Sequence, residues 1–133
     1  MRSELHSDVI DCRIAIPRGR TRPQFSVDFG LFRSDPRIRN QRTLNHIRLD
    51  IPDVPSAGVA RKFYLEATFG DLGDPAARTM HVVNTRSADG KRYGSGTVTI
   101  TRSGSTGRFA IDVRTQDGVA VTGTIDCSNI EGS

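Results

Sequence analysis

A chain of 133 residues with a formal net charge of +4, 35% hydrophobic and 6% aromatic residues and no tryptophan fits one domain with a mainly aliphatic core. Such content suits a compact all-β unit and argues against a large apolar ligand cavity. No run of about 18 apolar residues is present, which excludes a membrane-spanning helix, and the start MRSELHSDVI lacks the apolar stretch of about 7 to 15 residues that a signal peptide needs.

Alternation with a period of two, the signature of half-buried strands, runs through the chain. In VIDCRIAI, Ile10, Cys12, Ile14 and Ile16 share one face and Asp11 and Arg13 the other. FSVDFGLF sets Phe25, Val27, Phe29 and Leu31 against Ser26, Asp28 and Gly30. HIRLDI turns Ile47, Leu49 and Ile51 inward and His46, Arg48 and Asp50 outward. FYLEATF does the same with Phe63, Leu65, Ala67 and Phe69 against Tyr64, Glu66 and Thr68, and MHVVNT gives a shorter fifth strand. SAGVARKFYL has room for one helical turn at its start; elsewhere β-branched residues and glycine disfavour helix.

GTVTITR, RFAIDVR and GVAVTGTIDC follow, separated by SGSTG and TQDG, short glycine-containing connections that read as hairpin turns. They predict a C-terminal meander of three antiparallel strands. The whole reads as an all-β antiparallel sandwich or small barrel of about eight short strands. Residues 1–8 are expected to be a frayed N-terminus, residues 9–127 one β-domain and residues 128–133 a C-terminal tail.

Both cysteines fall on apolar faces, Cys12 in the first strand and Cys127 in the last. If those strands meet across the core, a Cys12–Cys127 disulfide closes a loop of about 116 residues, and the chain-entropy model assigns such a loop about 4 to 5 kcal/mol. The competing reading is two free buried thiols. A disulfide implies an oxidising compartment, with a signal segment removed before this chain begins; free thiols would imply the cytoplasm.

The stretch SADGKRYGSGTVTITRSGSTGRFAIDVRTQDGVAVTGTIDC, together with Cys12, resembles small actinobacterial cell-envelope lipoproteins, the mycobacterial lipoprotein antigen family among them. The resemblance covers about the last 45 residues and the first cysteine. It implies a secreted or envelope-attached β-domain with one disulfide and no established catalysis. The chain departs from that pattern in lacking the lipid-bearing cysteine and the Ser/Thr-rich tether.

If neighbouring strands pair, His46, Arg48, Asp50, Tyr64 and Glu66 form a polar cluster able to do general acid–base work at the mouth of a barrel. A solvated sheet face explains the same residues, and that explanation is preferred. His6 falls in the frayed terminus, and His81, beside Met80 and Val82 and on the face of Val83, reads as a half-buried or edge residue. No GxSxG, HExxH, P-loop or paired-carboxylate motif is present. GSGTVT enters a strand and lacks the following helix of a phosphate loop. The cysteines have neither CxxC spacing nor a nearby histidine, so no metal and no cofactor is expected, and the reading leans against an enzyme.

Seventeen of the nineteen basic residues are arginine, a side chain suited to phosphate and carboxylate, although a GC-rich genome produces the same bias. PRGRTRP carries Arg18, Arg20 and Arg22, and RSDPRIRNQR carries Arg33, Arg37, Arg39 and Arg42. If both loops lie at one end of the domain, seven guanidiniums converge on an anionic surface, lipid or envelope polymer. Nucleic acid ranks lower because neither loop interleaves aromatic residues. The leading expectation is therefore a secreted or cell-envelope sandwich acting as a binding module. The alternative is a small barrel that holds an apolar molecule as a carrier or as a cyclase or isomerase.

Overall fold

The computed structural model describes residues 11–30, 36–52, 58–71, 73–76, 78–85 and 93–132. Expectations for residues 1–8, and for His6, Ile10, Leu31 and Arg33, lie outside the described residues. Among these residues ten strands form: β1 Asp11–Ala15, β2 Gln24–Gly30, β3 Leu44–Pro52, β4 Gly58–Ala60, β5 Tyr64–Gly70, β6 Arg78–Asn84, β7 Ser95–Ser103, β8 Thr106–Arg114, β9 Ala120–Cys127 and β10 Ile130–Glu131, with a 3-10 turn over Pro36–Arg39.

They make two open sheets, one of six strands ordered β10-β1-β2-β3-β5-β6 and one of four ordered β4-β7-β8-β9. No barrel closes. Of the two architectures the sequence allowed, the barrel is corrected. Each sheet has an apolar face, and the two faces bury each other in one core cluster. The expected meander is β7–β8–β9, antiparallel and in register from Ser95↔Arg114 to Arg114↔Ala120.

One register row of the six-stranded sheet runs Cys12, Val27, Leu49, Leu65 and Val83, and all five are buried. The opposite sheet answers with Val98, Ile100, Phe109, Ile111 and Val113. Phe25 and Phe109 stack across the core with ring centroids 4.2 Å apart and planes 15° apart.

Two links fix how the sheets cross. Cys12 on β1 is bonded to Cys127 at the end of β9, and His81 on β6 pairs with Asp117 in the turn leading into β9. β1 and β6 are four strand spacings apart, roughly 19 Å, and the 8 residues of β9 extend roughly 26 Å. β9 therefore runs across the strands of the first sheet rather than along them, as in orthogonally packed sheets.

Three features escaped the alternation pattern. The segment with room for a helical turn instead forms β4, which pairs with β7. Ile130 and Glu131, in the stretch read as a tail, run parallel to β1 at Cys12 and Arg13, and Ile130 is buried. Strands of three and two residues are too short to show a period. In β3 the register slips between Leu44 and His46. This bulge leaves Asn45 as the extra residue, its side-chain amide donating to the Gly70 carbonyl at 2.7 Å, and turns Leu44 to the core opposite Phe69.

Candidate functional site: a polar sheet face and a basic end

Strand pairing brings together all five residues of the expected polar cluster. Arg48 lies between Asp28 and Glu66, and Asp50 between Ser26 and Tyr64, while His46 faces Gly30 and Thr68. Nε2 of His46 is 2.8 Å from the Asp28 carboxylate, and Nδ1, buried and without a hydrogen-bond partner, is 3.8 Å from Glu66. Arg48 donates to Asp50 at 3.1 Å and lies over the Tyr64 ring at 5.9 Å. Tyr64 donates to Glu66 at 2.7 Å. The two carboxylates nearest His46 meet opposite nitrogens of the ring, and among the described residues no three His, Cys, Asp or Glu side chains are grouped to hold an ion.

This face is less solvated than alternation implies. Asp50 is 1% exposed and Thr68 0%, so the expected solvated face is corrected at its centre. The charges there are arranged to satisfy one another, and with no barrel they line no mouth.

Burial, then the hydrogen bond to Glu66 and the charge of that carboxylate, push the Tyr64 hydroxyl up to about 12. The folded state thus holds this proton more tightly than the unfolded chain, and the resulting stabilisation is present below about pH 10 and lost as pH rises through about 12. Tyr64 and Tyr93 are the two tyrosines. In a Tyr93→Phe background, absorbance titration should show Tyr64 ionising only near pH 12, and Glu66→Gln should lower that midpoint. A midpoint near 10 in the folded protein would contradict the half-buried Tyr64–Glu66 contact.

His81 has a structural task. It is 8% exposed on β6, an edge strand. Its Nδ1 lies 3.0 Å from Asp117, and its ring meets Phe69 edge-on at 5.7 Å. Thr115 donates its hydroxyl to the same carboxylate and accepts from the Val119 amide at 3.0 Å. The Thr115 hydroxyl first, and His81 second, hold the Asp117 carboxyl below its usual range. The clasp between the sheets is complete above the ordinary carboxylate range and is lost as pH falls through the depressed value of Asp117.

Three arginines on the strands are neutralised by an aspartate, Arg13 by Asp11 at 2.6 Å, Arg48 by Asp50, and Arg108 by its register partner Asp126 at 2.7 Å, whereas Arg102 and Arg114 donate to the Gly104 and Gly118 carbonyls. Two in the β1–β2 connection differ. Arg18 and Arg20 are exposed and, among the described residues, make no ion pair. The connection is stiffened by Pro17 and Pro23 and by a turn in which the Arg20 amide donates to the Pro17 carbonyl at 3.0 Å. Gly19 takes the left-handed φ of 77° that such a turn requires after Arg18. Pro17, Arg20, Thr21, Arg22, Pro23 and Gln24 line a cavity of about 270 Å³ with Pro52 of β3.

Exposed Arg61 and Lys62 sit at the same end, just ahead of β5. Sequence reasoning passed over them because one basic dipeptide before a strand carries no pattern. The second basic loop lies elsewhere. Arg37 and Arg39 in the 3-10 turn, and Arg42, join the end of β2 to the start of β3, whereas Arg18, Arg20 and Arg22 precede β2. The 7 residues of β2 separate the two loops by roughly 23 Å. The expected convergence is therefore corrected: successive antiparallel connections alternate ends, and the guanidiniums form two groups.

A disulfide suggests an oxidising, extracellular environment, and among the described residues no helix is long and apolar enough to cross a membrane. No protein-family model matches the chain, and neither a curated protein nor a solved structure does.

Proposed function

We propose that the protein is a secreted or envelope-attached binding module that engages an anionic surface through the basic end formed by Arg18, Arg20, Arg22, Arg61 and Lys62. The observation that carries this reading is the contrast between Arg13, Arg48 and Arg108, each matched by an aspartate, and the exposed Arg18 and Arg20, which make no ion pair among the described residues. Exposed positive charge on a stiff loop raises the local concentration of an anionic polymer and loses little entropy on binding. The resemblance to envelope lipoproteins points to the same setting.

Binding to acidic phospholipid vesicles and to polyphosphate should weaken as salt rises and the Debye length falls below about 10 Å. The triple substitution of Arg18, Arg20 and Arg22 by Ser should cost about 100-fold in affinity, at about 1 kcal/mol per basic residue near an anionic surface. The matching triple at Arg37, Arg39 and Arg42 should cost under about tenfold. Affinity indifferent to salt and to the first triple would remove the proposal.

A further inference from the structure

We infer that the cavity bounded by Pro17, Pro23 and Pro52 is a subsite for one phosphate group carried on a sugar ring, the repeating chemistry of a phosphorylated glycan. The inference rests on the anionic-surface reading and names which anion the basic end takes.

The lining divides into two chemistries. Arg20, Thr21, Arg22 and Gln24, whose side chains carry N–H or O–H donors, are part of the lining, and Arg18 stands in the same turn, two residues before Arg20. A guanidinium fork and a hydroxyl match the tetrahedral oxygens of a phosphate, where two parallel N–H···O bonds can form. The remaining walls are three proline rings. Proline has no amide hydrogen to donate, so these three residues offer C–H surface, which suits the C–H face of a pyranose and which a free ion does not use.

Size sets the limit. At about 270 Å³ the cavity falls just under the range of about 300 to 1,000 Å³ typical of drug-sized ligands. It holds one monosaccharide-sized group, and a longer glycan would continue over the exposed arginines outside. The site is also set in advance: Pro17 and Pro23 fix their own φ, the Pro17–Arg20 turn is hydrogen-bonded, and Pro52 belongs to β3 in register with Gln24. Little has to be ordered when a ligand arrives.

The test is an NMR titration of the intact, disulfide-bonded protein with glucose 6-phosphate, glucose and inorganic phosphate, read at the amides of residues 18–22 and 24. Glucose 6-phosphate should give saturable shifts there, inorganic phosphate should bind at least about tenfold more weakly, and glucose should give none. Arg20→Gln should weaken glucose 6-phosphate by about tenfold or more. Pro52→Ala should weaken glucose 6-phosphate while leaving inorganic phosphate unchanged, which separates the ring wall from the charge. Equal affinity for the sugar phosphate and the free ion overturns the inference, as does an unaltered response in both variants. If polyphosphate and vesicles still bind through Arg18, Arg20 and Arg22 while glucose 6-phosphate gives no saturable shift, the subsite falls and the anionic-surface reading stands. If neither binds, both fall.

Discussion

Replacing Cys12 and Cys127 together by Ala should lower the unfolding free energy by about 4 to 5 kcal/mol, the largest effect expected of any change that leaves the core aromatics intact. The disulfide links residues 115 positions apart, so almost the whole chain is a closed loop in the oxidised unfolded state and an open one without the bond. Domains of this kind are stable by about 5 to 15 kcal/mol, so the loss is a large share of the total. Both residues are nearly inaccessible, at 2% and 3% exposure, and reductant should act only as fast as the termini open. Urea denaturation of the oxidised protein and the double variant measures the difference. A loss below about 1 kcal/mol would mean that the packing of β1 against β9 already holds the ends without the bond. Intact mass after alkylation tests the compartment as well, since two modified thiols in unreduced native protein would remove the case for an oxidising environment.

The second large effect belongs to the stacked pair Phe25 and Phe109. Each is 1% exposed, one on β2 and the other on β8, so the contact spans the two sheets at the centre of the core. Truncating either to Ala removes a ring and leaves a cavity that orthogonally packed sheets cannot readily collapse, at about 3 to 5 kcal/mol each. The second truncation should cost less than the first, because the ring it removes has already lost its partner. The stacking itself should appear in the double-mutant cycle as a coupling of about 0.5 to 1.5 kcal/mol. Additivity within about 0.3 kcal/mol would show that the rings are buried independently and that the sheets do not meet through them.

Much of this architecture was legible because alternation encodes a strand and its inward face together. Cys12, Val27, Leu49 and Leu65 are inward parities expected of four separate strands, here joined side to side, and Val83 of β6 extends the row. Alternation turns both Cys12 and Cys127 inward, which is why the sequence could anticipate their disulfide. What the pattern misses is non-periodic or long-range. The bulge at Asn45 shifts parity by one residue and sends Leu44 to the core, and the clasp between His81 and Asp117 spans 36 positions. The burial of Asp50 and Thr68 depends on neighbours in space, which alternation cannot report. The separation of the two arginine loops differs in kind: it follows from antiparallel connectivity alone, since a loop before a strand and a loop after it cannot share an end. Of the basic end, the sequence supplied Arg18, Arg20 and Arg22, and the fold added Arg61, Lys62 and the proline wall at Pro52.

The central claim is that one end of this sandwich engages anions and the other does not. Mapping amide chemical shifts during a titration with polyphosphate tests it most directly, because every described segment is read at once. The account predicts saturable shifts concentrated at residues 18–24 and 61–62, fading as salt is raised, with residues 37–42 nearly silent. Shifts centred on Arg37, Arg39 and Arg42, or spread evenly over both ends, would contradict it.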